Sequence, residues 1–265
     1  MTKMAHQMWP GGSLRSRLRQ AGSDVALALV STTTFATITW WLFGLPVSYF
    51  AQVAVGYLVL ACLLVWYLPE GQARGELGAA NRVTLGRATL VLPLSALAGQ
   101  PILITDDMAW YIIAVATVTL VLDGVDGWLA RRSETASPFG ARFDMELDSF
   151  LMLVLSILVW RSGKVGAWAI LIGLPRYLYV AGGWMWPMLR AELPPSVRRK
   201  AVCVAQGVLL LVCLGPIVPP PLASGSAAAA IVVFAAAVLW AIFMLAQKAL
   251  LRCLPPASIL ALVYW

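Results

Sequence analysis

At 265 residues, with 61% hydrophobic side chains, 12% charged side chains and a mean hydropathy of +0.83, the chain falls outside the water-soluble globular class. It reads as an integral membrane protein. Its 19 Lys and Arg against 12 Asp and Glu, a formal +7, suit anionic lipid headgroups better than nucleic acid. The four cysteines contain no C-x-x-C pair, which argues against a thiolate metal site or a redox disulfide.

Residues 1–24 carry Lys3, Arg15, Arg17 and Arg19 and no small-residue cleavage site follows, so they are expected to stay as an interfacial segment. The lone histidine, His6, lies there and reads as a solvated side chain. Val25 to Pro69 is an uncharged stretch of 45 residues, enough for two crossings of ~20 residues. Gly44-Leu45-Pro46 breaks it into spans at 25–43 and 47–68. Thr32, Thr33, Thr34, Thr37 and Thr39 in the first span are expected to bond to their own helix backbone or to a neighbour. Further spans are expected at 84–99, 108–131, 140–160 and 165–189. The 47 uncharged residues from Ala201 to Gln247 hold two more, at 200–215 and 226–248.

Eight crossings place 16 of the Lys and Arg on one face and only Arg161 and Lys164 on the other, with Arg176 inside a span. Basic residues collect on the cytoplasmic side, so both termini are predicted to be cytoplasmic.

The acidic residues follow a different rule: eight of the 12 fall between Asp106 and Asp148. Asp123 and Asp126 are three apart near the cytoplasmic end of the fourth span, and Asp144 and Asp148 are four apart near the start of the fifth. On helices each pair shares a face. The short connection between the spans folds both pairs together at the membrane surface. Carboxylates gathered in a partly desolvated cleft stay ionised only beside cations. Oxygen-only ligation, with no Cys or His nearby, favours Mg²⁺, Mn²⁺ or Ca²⁺ over Zn²⁺.

Asp123, Asp126, Gly127, Ala130 and Arg131 also recur at i, i+3, i+4, i+7, i+8, a single helix face. Gly127 and Ala130 clear space for a flat base and ribose, or for close helix packing, and Arg131 offers a forked donor to phosphate. Together with Gly140, Asp144 and Asp148 they read D-x-x-D-G-x-x-A-R-x₈-G-x-x-x-D-x-x-x-D. This resembles the signature of the CDP-alcohol phosphotransferase family at all of its specified positions, an agreement with a chance on the order of 10⁻¹⁰ per starting position. Upstream, Asn81, Thr84 and Arg87 resemble the family's N-x-x-T-x-x-R entry to its first core helix, with Ala80 where a Pro usually stands.

The resemblance implies an all-α integral membrane fold, a six-helix core with two extra N-terminal transmembrane helices here. The chain then divides into an interfacial segment at 1–24, the extra helices at 25–70, a catalytic core at 71–252 and a tail at 253–265. It implies two Mg²⁺ or Mn²⁺ ions on Asp123, Asp126 and Asp144, with Asp148 as general base and a further contact to metal. Asn81, Thr84, Gly127, Ala130, Arg131 and Gly140 would bind the cytidine diphosphate of the donor.

Arg87, Arg176, Arg198, Arg199 and Lys200 are the candidates for acceptor binding. Arg87 reads equally as an interface anchor or a contact to the donor, Arg176 equally as a partner of the aspartates, and the Arg198 cluster rather more as a positive-inside stop and headgroup contact. The implied reaction moves a phosphatidyl group from a CDP-linked donor, expected to be CDP-diacylglycerol, to an alcohol or phospho-alcohol, with release of CMP. Its mirror image, a CDP-linked small alcohol donated to diacylglycerol, uses the same aspartates. The rival from another class is a divalent-cation transporter, which calls for acids at mid-membrane depth on several helices. Family members pair as homodimers, and the expected setting is a bacterial inner membrane with the active site at the cytoplasmic face.

Overall fold

Several of the helix boundaries carry a residue that stops or starts helical hydrogen bonding. The computed structural model describes residues 14–67, 79–132, 138–185 and 197–253, with side chains described at 22–64, 81–125, 140–182 and 201–239. The helices are α1 (Leu14–Phe43), α2 (Ser48–Tyr67), α3 (Ala79–Ala98), α4 (Asp106–Arg132) and α5 (Pro138–Arg161). A short 3₁₀ helix (Ala167–Ile172), α6 (Pro175–Met185), α7 (Val197–Leu214) and α8 (Pro220–Cys253) complete the chain, with no strand among the described residues.

α1 ends where Gly44 takes φ 58° and the Leu45 N–H reaches back to the Trp40 carbonyl, the six-to-one bond of a Schellman cap. α4 begins where the Thr105 hydroxyl accepts from the Met108 N–H at 3.3 Å, with Asp106 and Asp107 in the first turn against the positive end of the helix. α5, α6 and α8 each open on a proline, whose missing N–H costs nothing in the first turn.

Gly22–Phe43, Asp106–Val125 and Pro220–Leu239 are long and apolar enough to cross a bilayer, and Ser48–Leu64 and Ala201–Leu214 are shorter apolar helices. Large apolar side chains stand exposed around the bundle, Leu27, Trp41, Val55, Leu58, Val121 and Leu239 among them. Such a surface suits hydrocarbon and not water.

α3 is the centre of the packing. Its Ala88, Val91, Leu94 and Leu97 are buried with Ile112, Val115 and Ala116 of α4 and with Leu151, Val154, Leu155 and Leu158 of α5. α7 and α8 form a hairpin in which Ala223, Ala227 and Ala230, fully buried, let α8 come close to Leu210, Cys213 and Leu214. Cys213 is an inert packing residue there, its thiol turned to the Ala223 carbonyl.

The two N-terminal helices are built into this core. The α1 threonines bond back to carbonyls one turn earlier, as expected, and Thr39 in addition meets the Tyr111 hydroxyl of α4. On the opposite side of the bundle from the acidic cluster, Gln100 is bonded to Ser48 and Gln52 of α2, and Arg161 donates to the Gln100 and Ile102 carbonyls. At the other end, Asp24 of α1 pairs with Arg82 of α3 at 3.1 Å.

The expectation of one continuous sixth span over 165–189 is corrected. The chain instead makes the 3₁₀ turn, breaks at Gly173 and Leu174 and restarts as α6, whose described residues end at Met185. Pro175 cannot extend a preceding helix, because it lacks the N–H and its ring clashes with the turn before. Gly173 allows the break to sit against α5: a Cβ there would lie 2.4 Å from the Leu153 Cα and 2.6 Å from the Ser156 Oγ. Its φ of −88° suits any residue, so the constraint is steric. Gly173→Ala is therefore expected to destabilise the protein by about 1–3 kcal/mol, read as a lower melting temperature in detergent. Gly225→Ala, with open space around its Cβ and a helical position, should leave it unchanged or slightly raised.

Candidate functional site

The packing of α3 against α4 and α5 brings together residues far apart in sequence. Asp144 and Asp148 stand one turn apart on α5, with Gly140 a turn earlier on the same side, and Asp123 stands on α4. Arg87 of α3 lies among them, fully buried. Its Nη1 donates to Asp123 Oδ1 at 3.0 Å and to Asp144 Oδ1 at 2.6 Å, and its Nη2 donates to Asp148 Oδ1. The three carboxylates are each about 30% exposed, so the cluster opens to the outside on their side and is sealed on the arginine's side.

The charge and chemistry of this arrangement fit a cation. Carboxylate oxygens of Asp123, Asp144 and Asp148, one from each, lie within 4.8 Å of one another, an all-oxygen set of the kind hard divalent ions take. Three carboxylates against one guanidinium leave these four groups with two negative charges. The arginine already shows that positive charge is held here: a buried guanidinium persists only where carboxylates face it with good hydrogen bonds.

Asn81 and Thr84, proposed from the sequence for the nucleotide, are buried on α3 within two turns of Arg87, Thr84 one turn before it on the same face. Gly140 is half-buried at the start of α5. The helical backbone of α4 continues through Asp126, Gly127, Ala130 and Arg131, whose side chains lie outside the described residues, as do those of Arg198, Arg199 and Lys200 at the start of α7.

Arg176 Nη2 donates to Glu146, a residue that α5 turns away from Asp144 and Asp148, and the pair ties the start of α6 to α5. Among the described residues Arg176 therefore pairs with Glu146 and with none of Asp123, Asp144 and Asp148, while the Asp126 side chain lies outside them. Arg87 is the residue whose place the sequence understated. Its sequence context suits acceptor binding or a headgroup anchor, and in the structure it is the hub of the acidic site. The signal was its register: Arg87 lies one turn beyond Thr84, which puts the arginine on the face that Thr84 buries.

A family model described as CDP-alcohol phosphatidyltransferase matches residues 77–247, well over half of the chain and all three clustered aspartates with Arg87. No curated protein and no solved structure gives a match.

Proposed function

The chain belongs to the CDP-alcohol phosphatidyltransferase family, and from that premise we propose that it transfers a phosphatidyl group from CDP-diacylglycerol to the hydroxyl of a small alcohol, releasing CMP. The observation that carries this reading is the convergence of Asp123 from α4 and Asp144 and Asp148 from α5 on Arg87 of α3, at one end of the bundle. A transporter path through the bilayer would instead spread its acids along several helices at mid-depth.

Asp123, Asp126 and Asp144 would hold two Mg²⁺ or Mn²⁺ ions, with Asp148 beside them. When bound, these ions neutralise the charge of the donor diphosphate and of the departing CMP. The chain's own groups do the rest. Asp148 takes the proton of the acceptor hydroxyl as its oxygen attacks the phosphorus that carries the diacylglycerol, and the bond from that phosphorus to the CMP oxygen breaks. Gly127, Ala130 and Gly140 leave backbone open to the nucleotide, with Arg131 on phosphate and Asn81 and Thr84 at its edge.

Arg198, Arg199, Lys200 and Arg176 line the acceptor's approach, which favours a phosphorylated alcohol such as a glycerol or inositol phosphate. The protein crosses a bacterial inner membrane eight times, with both termini and the site at the cytoplasmic face. Residues 71–252 form the catalytic core behind the interfacial segment 1–24 and the helices of 25–70, with 253–265 as tail, and two copies pair as a homodimer.

The test is CMP release by purified protein with Mg²⁺ or Mn²⁺, a panel of CDP-linked donors and candidate alcohols. CMP from CDP-diacylglycerol with an alcohol is the expected result. Release only from a CDP-linked small alcohol with diacylglycerol would reverse the assignment of donor, and release from no pair would overturn the enzymatic reading.

A further inference from the structure

A cation and the Arg87 guanidinium have a claim on the same oxygens. Arg87 engages one Oδ1 from each of Asp123, Asp144 and Asp148, the three residues whose carboxylate oxygens lie within 4.8 Å of one another. The arginine is fully buried while the carboxylates are about 30% exposed. It therefore fills the cluster from the protein side, and an ion arriving from the open side meets carboxylates whose inner oxygens are taken. A divalent ion and a guanidinium on the same small set of oxygens repel strongly in a partly buried site, where screening by water is weak.

We propose that Arg87 is the resident counter-ion of the cation-free protein, and that divalent cations enter by displacing its guanidinium from Asp123, Asp144 and Asp148. This rests on the metal-binding reading given above and adds to it a competition inside the protein. Without an ion, the arginine holds α3, α4 and α5 together against the repulsion of the carboxylates. With an ion, the inner oxygens pass to the metal and the forked donor is released, with its charge now free for a phosphate group. Cation entry and the appearance of a phosphate-binding fork are then one event, which keeps the unloaded site closed.

The apparent affinity for the ion is reduced by the fraction of molecules in which the arginine occupies the oxygens. Removing the competitor must tighten binding. The experiment is Mn²⁺ titration of the full-length protein in detergent, without substrate, with free Mn²⁺ read by electron paramagnetic resonance. Arg87→Gln is expected to bind Mn²⁺ about tenfold more tightly than the parent. Arg87→Lys, which keeps the charge but not the fork, should show a smaller gain.

Unchanged or weaker binding by Arg87→Gln overturns the proposal and makes the arginine a brace that the ion needs. If that variant is not recovered as a monodisperse species, Arg87→Lys decides by the same criterion. The metal-binding reading fails separately: the parent would then bind no Mn²⁺, or Asp144→Ala would bind it as well as the parent does.

Discussion

Asp148→Asn is expected to lower CMP release by about 10²–10⁴-fold, the range over which a positioned general base acts, while the protein inserts and melts much as the parent does. The replacement keeps the size of the side chain and an oxygen that can accept from Arg87 Nη2. What it removes is the second oxygen lone-pair set that takes a proton at neutral pH. Asp148 sits one turn beyond Asp144 on α5 and is partly exposed, so an acceptor hydroxyl can approach it from outside the bundle. The measurement is single-substrate-pair CMP release at saturating Mn²⁺, with the melting temperature taken alongside. A variant that releases CMP at the parental rate would remove Asp148 from the role of base.

Arg87→Ala is expected to have the largest effect on stability. In chelator, it leaves Asp123, Asp144 and Asp148 crowded at the junction of three helices without the guanidinium that faces them. Breaking a buried ion pair by removing one partner costs about 3–5 kcal/mol, which for a chain of this size lowers the melting temperature by on the order of 10 °C. Two further measurements separate charge from lost packing. Saturating Mn²⁺ should return most of the loss, because the ion supplies the missing positive charge. Asp144→Asn placed in the Arg87→Ala background should also recover part of it, since one fewer carboxylate repels. If neither restores stability, the arginine matters for the volume it fills.

The membrane class and the helix order were legible because a bilayer imposes a simple rule: uncharged stretches of about 20 residues become helices. Gly44, Pro46 and the prolines at the starts of α5, α6 and α8 mark ends for equally local reasons. In the sixth span hydropathy runs on from Val165 to Met188 and masks the break that Pro175 marks locally, while the need for a glycine at 173 appears only when the Leu153 Cα of α5 is set against it. The two N-terminal helices carry no chemical motif, so the sequence marks them only as extra to the core. Their bonds from Asp24 to Arg82 and from Ser48 and Gln52 to Gln100 join residues about 50 positions apart, beyond the reach of any local pattern.

For the acidic site the division is cleaner. Asp123, Asp144 and Asp148 are chemistry-bearing types at helical spacing on two successive helices, so sequence alone determined which residues gather and at which end of the bundle. What stands at their centre was decided only by tertiary structure. Arg87 lies on a third helix, 36 to 61 residues from its partners, and periodicity along one helix says which face it occupies but not what that face meets. The choice among lipid headgroup, substrate and carboxylates was made by the packing of α3 between α4 and α5, which excludes water from the guanidinium and sets it against the oxygens of Asp123, Asp144 and Asp148.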